Sequence, residues 1–427
     1  MRLRPSARFG LFALLGLMMS WLVACGSGQP TATAPAEGGA QEVEFWTMQL
    51  QPDFTDYFNG LIADYEAQNP GITVRWVDVP WADMQSKILT AVTAGTAPDV
   101  VNLNPDFAAQ LASRNAWMPL DDKVPAEAKQ VYLPNIWEAN TLNGQSFGIP
   151  WYLTTNVTLH NQELLAAAGV EPPTTYAELA EVARQVKDKT GKYAYFTTFV
   201  PEDSADVLQS FVQMGVELVD DQGQAAFDTP EGRAVFQYWT DLYQQELLPQ
   251  EVLTQGHRRA IDLYQAGEVA LLSTGAEFFP TIEANAPDIA AVTGSGPQIT
   301  GDTGKTNVAV MNVVIPASTD VPDAAIDFAL YVTNDANQLA FAKAANVLPS
   351  TTGALEDGYF AAEGTKGVEK ARSISAEQMN QAEVLIPAMD GIKELQAIIY
   401  DNLQASMLGQ KTVDEAVSDA AAAWNSR

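Results

Sequence analysis

The sequence predicts an α/β fold with enough chain for two domains, and three observations predict it. From Val43 onward, short apolar runs alternate with stretches of helical periodicity, the pattern of sheet strands covered by helices. Of the 427 residues, 47% are apolar, which can build two packed cores. The single cysteine, Cys25, lies ahead of this body, so packing rather than disulfides must hold it together.

Val43 to Trp46 reads as a short buried strand. Phe54, Tyr57, Phe58, Leu61, Ile62 and Tyr65 then recur at helical spacing until Asn69-Pro70-Gly71 stops them. Ile72, Val74 and Trp76 alternate with Thr73 and Arg75 as a half-buried strand does, and Trp81 to Thr93 form a helix that ends at Gly95. The unit repeats with a strand over Asp99 to Leu103 and a helix from Asp106 to Asn115. Further on, Thr175 and Glu178 are spaced as a capping box opening a helix through Val186, and Thr229-Pro230 opens another whose Val235, Tyr238, Trp239 and Leu242 form a core stripe. Val269 to Leu272 and Val308 to Ile315 read as strands, and Ala324 to Val332 and Ile392 to Leu403 as amphipathic helices. The stretch from Gly294 to Gly304 reads as a flexible crossing between domains.

The first 24 residues carry Arg2, Arg4 and Arg8 ahead of an apolar run from Phe9 to Val23, the architecture of a signal peptide. A spanning helix needs about 20 apolar residues, and Gly10, Gly16 and Ser20 interrupt this run. Leu22-Val23-Ala24-Cys25 resembles the bacterial lipobox, which implies cleavage before Cys25 and a lipid anchor on it. Residues 25–41 follow as a tether rich in Gly and Ala, without the larger apolar residues a core needs.

A formal net charge of −30, with no Arg or Lys cluster outside the leader, excludes nucleic acid and anionic lipid headgroups as partners and disfavours an anionic ligand. Enzyme signatures fail on inspection. Gly304-Lys305-Thr306 lacks the first glycine of a phosphate loop, since position 299 is Ile299. Gly294-Ser295-Gly296 has neither dinucleotide nor nucleophile-elbow spacing. His160 and His257 are the only histidines and have no close partner in sequence, which speaks against a zinc site or a Ser-His-Asp triad. Asp220 to Gly223 reads as a solvated turn rather than a calcium loop. No metal or cofactor is expected.

Several segments in order resemble the extracellular solute-binding proteins of carbohydrate ABC importers, the group that includes maltose-binding protein. They are Gly95 to Val101 (GTAPDVV), Trp117 to Asp121 (WMPLD), Gly148 to Trp151 (GIPW), His160-Asn161, Pro173 to Leu179 (PTTYAEL), Gly267 to Leu271 (GEVAL), Val347 to Ser350 (VLPS) and Thr412 to Ala416 (TVDEA). The resemblance covers residues 42 to 425. It implies a two-lobe periplasmic-binding-protein fold, each lobe a mainly parallel sheet flanked by helices, joined by hinge crossings. The lobes are then expected over 42–150 plus 297–348 and over 151–296 plus 349–427.

An open parallel sheet presents ligand in the loops at the carboxyl ends of its strands, which here are known segments. The first offers Trp46 and Gln49, the second Asn102, Asn104 and Asp106; Asn312 on a later strand adds another amide. Amides and carboxylates suit the vicinal diols of a sugar. Asp106 falls at the place of a hydroxyl acceptor in the maltose-binding branch, and a helix cap is its other reading. Trp81 could stack on a pyranose or pack in the core, and Trp151 and Tyr152 stand at the hinge. Gly275, Glu277 and Phe279 follow a strand where relatives present an aromatic, and here Glu277 takes that position. The lack of an aromatic near Gln396 favours a mono- or disaccharide over a maltodextrin.

Taken together these residues predict a monomeric, membrane-tethered receptor that captures a neutral sugar and delivers it to ABC permease subunits, with no catalytic role. A receptor for a polyol or glycerol derivative is the nearest alternative. An exported glycosidase using Asp106 and Glu277 is disfavoured, because hydrolysis needs carboxylates held about 5 to 10 Å apart and these lie on lobes that separate.

Overall fold

Strands and helices alternate as the apolar pattern requires, and the chain sorts them into two lobes. The computed structural model describes residues 41–427 apart from 202, 362, 363 and 387. The leader, Cys25 and the tether up to residue 40 lie outside the described residues. In chain order the strands are β1 (Gln41–Met48), β2 (Ile72–Val79), β3 (Val100–Leu103), β4 (Thr141–Leu142), β5 (Gln145–Ser146) and β6 (Ile149–Thr155). They continue with β7 (Val157–Asn161), β8 (Leu271–Thr274), β9 (Thr293–Gly296), β10 (Thr306–Val314), β11 (Leu348–Pro349) and β12 (Ala382–Glu383). The first lobe is built on a sheet ordered β11-β6-β10-β3-β1-β2, with β12 beside β10; the second is built on β8-β7-β9, and β4 pairs with β5.

β1 runs parallel to β2, from Gln41 beside Ile72 to Met48 beside Val79, and parallel to β3. These are the strands separated by the helices Thr55–Gln68 and Trp81–Ala94, which supply the crossovers parallel pairing needs. β10 instead runs antiparallel to both β3 and β6, and β7 antiparallel to both β8 and β9. Tyr193 adds one parallel bridge, to Val269. The expectation of a mainly parallel sheet in each lobe is corrected accordingly: both sheets are mixed or antiparallel wherever the chain passes between lobes and returns.

Local chemistry sets the helix ends. Gly95 stops the helix Trp81–Ala94 in the left-handed region at φ 67°, where a side chain is strained. Thr175 and Glu178 form the expected capping box, each taking the other's backbone N–H at 3.2 Å. Thr229 caps the helix Pro230–Gln244 through the Gly232 N–H.

Three buried apolar clusters mark the lobes, two in the first lobe and one in the second. In the first, Trp151 stacks on Phe341 at 5.1 Å while Phe45 meets Phe328 edge-on at 5.3 Å. In the second, Trp239, Phe199, Phe211 and Tyr400 pack against helices near the C-terminus. These cores move the expected boundaries. Trp151 and Leu153 belong to the first core and β6 to its sheet, so the first crossing falls after Thr155, not at 150. Leu348 and Phe360 also pack there, and the second lobe resumes with the helix Gly367–Gln378 rather than at 349. Residues 293–296 are β9 of the second lobe, so the flexible crossing begins after Gly296.

One side chain ties the crossings together. The Gln378 amide donates to the Thr155 hydroxyl (3.2 Å) and the Asn156 carbonyl (3.0 Å), and accepts from the Gln298 backbone N–H at 2.7 Å. Thr155 also meets the Ser375 hydroxyl at 2.6 Å. Thr155, Gln298, Ser375 and Gln378 are buried, so this network fixes where the two crossing strands lie relative to each other.

Candidate functional site

The first-lobe wall starts at the carboxyl ends of β1 and β2. Asp78 accepts from the Thr47 hydroxyl (2.6 Å), the Leu50 N–H (2.9 Å) and the Gln51 N–H (3.1 Å), and so pins the loop that carries Gln49. Gln49 is exposed with φ 51°, and its side-chain Oε1 accepts from the Trp81 N–H at 3.2 Å. The Trp81 ring is 45% exposed, which decides between its two readings: it is not core. Asp78 was missed by sequence reasoning, although it falls on the same alternation as Ile72, Val74 and Trp76 and interrupts it.

Next along the wall, Asn104 accepts the Phe107 N–H at 2.8 Å and caps the helix Pro105–Ala112. The cap is therefore Asn104, and Asp106 is left free for another role. Its carboxylate meets the Lys393 ammonium of the second lobe at 2.6 Å. Tyr152, half-buried on β6, has its hydroxyl pushed up by burial and then by the negative charges of Glu277 and Asp78, one on each lobe.

The second-lobe wall is set by the turn after β8. The Glu277 carboxylate folds back over Gly275, where a Cβ would have to push it aside. Burial pushes the Glu277 carboxyl up to about 7. The Asp206 carboxyl is raised first by burial, opposed by the charge of His257 and the Ser204 hydroxyl. His257 donates its backbone N–H to Asp203 at 2.7 Å and its ring meets the Thr274 hydroxyl at 3.3 Å. The fold brings residues 203–206 and 274, distant in sequence, to His257. A pocket of about 10 Å³ lies next to Asp206, Tyr195, Ser273 and Gln298. Nothing in sequence marked it, since its parts are distant along the chain. His160 is buried, which lowers its pKa, and it meets only the Thr158 carbonyl at 3.4 Å.

Other expected site residues lie elsewhere. Trp151 is fully buried in the first core, where alternation along β6 points it away from Tyr152's side. Phe279 packs in the second core. Trp46 has its indole N–H held by Glu44 at 2.7 Å and packs on the cluster containing Val101 and Leu103. Asn102 and Asn312 are fully buried and joined, Asn102 donating to the Asn312 carbonyl at 3.3 Å beside the register shift in β10. They brace the sheet beneath the wall.

The arrangement is a cleft whose walls belong to different lobes and carry polar and aromatic side chains: Gln49, Trp81, Tyr152 and Asp106 on one side, Glu277, Asp206, His257 and Lys393 on the other. Among the described residues no group of three or more His, Cys, Asp or Glu is placed to hold a metal ion, and no helix is long and apolar enough to cross a membrane. Residues 51–339 match the family of bacterial extracellular solute-binding proteins. The chain belongs to this family. Its fold is the two-lobed one of the maltose-binding group, and its place of work is outside the cytoplasm. A periplasmic-binding protein from Synechococcus sp. MITs9220, provisionally assigned to oligosaccharides and crystallised with zinc, is 46% identical, with a TM-score of 0.86 over 90% of this chain and 98% of that one. The arabinooligosaccharide-binding protein of Halalkalibacterium halodurans is 27% identical over 70% of this chain and 69% of its own. A maltose-bound protein of T. maritima shares the fold, with a TM-score of 0.75 at 20% identity over 90% of this chain and 99% of that one.

Proposed function

We propose that this solute-binding protein captures a neutral mono- or oligosaccharide between its lobes and delivers it to the transmembrane subunits of an ABC importer. The observation that carries the reading is the cleft itself, crossed by the Asp106–Lys393 pair, with the charge of Glu277 on one lobe acting on Tyr152 of the other and Trp81 exposed on the first wall. Carboxylates, a phenol and amides exchange hydrogen bonds with sugar hydroxyls, an indole face covers the apolar side of a ring, and the acidic walls repel anions. Ligand contacts to both lobes favour the closed arrangement, so closure reports occupancy to the permease. The family membership and the arabinooligosaccharide-binding relative support the same reading.

The protein acts as a monomer held at the outer face of the bacterial plasma membrane by acyl chains on Cys25, with residues 26–41 as the leash. Titration calorimetry against a panel of neutral saccharides, paired with small-angle scattering, tests the binding reading. Binding with a fall in radius of gyration is expected; a folded protein that takes none of them, or that releases reducing ends from an oligosaccharide, contradicts it. For the anchor, a Cys25→Ala protein is expected in the soluble fraction, and its full retention in membranes contradicts the leash.

A further inference from the structure

The Asp106–Lys393 pair crosses the cleft from the helix Pro105–Ala112 of the first lobe to the helix Ile392–Met407 of the second, with its charged atoms 2.6 Å apart. The two side chains are only 28% and 20% exposed, so water screens the pair incompletely. The lysine is also braced from behind: it reaches the Gln396 carbonyl oxygen at 3.3 Å, and the Gln396 amide is fixed on the Ser204 carbonyl at 2.6 Å. Next to the pair, Pro105, Ala109, Phe147, Val310 and Ile392 enclose a largely apolar pocket of about 20 Å³. Asn140 lines it, 2% exposed, with its amide nitrogen unpartnered among the described residues, as a donor waiting for one water does.

We propose that Lys393 is a specificity-determining residue: by occupying the Asp106 carboxylate from the opposite lobe it closes the cleft at this point and restricts the ligand to a short saccharide. This rests on the sugar-binding reading above. A hydroxyl that would bond Asp106 must displace an ammonium already bonded to it. Without Lys393 the carboxylate becomes an open acceptor and the closing bond between the lobes disappears.

The test measures dissociation constants of the wild-type chain, Lys393→Ala and the double variant Asp106→Asn/Lys393→Ala for gluco- and arabino-oligosaccharides of one to four units, with thermal melting to show that each is folded. In Lys393→Ala the ratio of three- and four-unit to one- and two-unit affinity is expected to rise about tenfold, the worth of one hydrogen bond to a charged acceptor. The double variant is expected to lose that gain. If the wild type binds none of these sugars, the functional reading fails and the inference with it. If the wild type binds but the ratio in Lys393→Ala is unchanged, the inference alone fails. A larger radius of gyration in that variant without a ratio change makes the pair a latch between lobes and also overturns the specificity role.

Discussion

The two lobes build their halves of one cleft by different means. The first lobe presents loops at the ends of parallel strands, where Gln49, Trp81 and Asp106 stand at sites that β1, β2 and β3 dictate. The second has a sheet of three short strands and presents helix starts and a tight turn instead, gathering Asp206, His257, Glu277 and Lys393 from segments far apart. The first wall is therefore positioned by a rigid sheet and the second by packing between helices, so titratable groups concentrate where the chain could bring distant segments together.

The largest effect expected from this contrast is in the first core. Trp151→Ala removes a buried indole stacked on Phe341 and lowers unfolding free energy by about 3–5 kcal/mol in denaturant titrations. A loss of ligand affinity with stability intact would move Trp151 back to the cleft. Gln378→Leu, at the crossings, strips a buried acceptor from the Gln298 N–H and a donor from the Asn156 carbonyl, at a cost of about 1–3 kcal/mol. Scattering curves of that variant should show a broader range of lobe separations than the wild type.

In the second wall, Glu277 has a folded pKa of about 7, above its unfolded value of 4.5. Its burial is therefore costless below pH 4.5, where both states are protonated, and the penalty grows as pH rises through 7. Relative to Glu277→Gln, the wild type should lose about 1–2 kcal/mol between pH 4.5 and 8, a figure discounted for partial exposure to water. A pH-independent difference would mean that the carboxylate is already satisfied in the cleft. The smallest effect belongs to the periphery: Thr175→Ala removes one capping bond and costs about 1 kcal/mol, with ligand affinity unaltered.

How far the molecule is legible in its sequence follows the same division. The strand and helix pattern from Val43 to Leu103, the capping box at Thr175 and the left-handed stop at Gly95 come from local periodicity and backbone preference, and each appears in the structure. The loops of the first wall follow from that pattern, and so does the exposed Trp81. Trp151 and Phe279 were misplaced because an aromatic next to a hinge or a turn has the same local signature whether it faces a ligand or a core. Asp78 was legible only as a break in alternation, and Asp206, His257 and Lys393 were not legible at all.

Amino-acid order alone determined the α/β character, the helix ends and the acidic, disulfide-free body, because each depends on residues within one turn or strand of one another or on bulk composition. The strand directions of β7 and β10, the crossing after Thr155, the Gln378 clamp and the Asp106–Lys393 pair were decided by the tertiary structure. They join residues up to hundreds of positions apart, and only packing of the cores brings such partners within hydrogen-bonding distance.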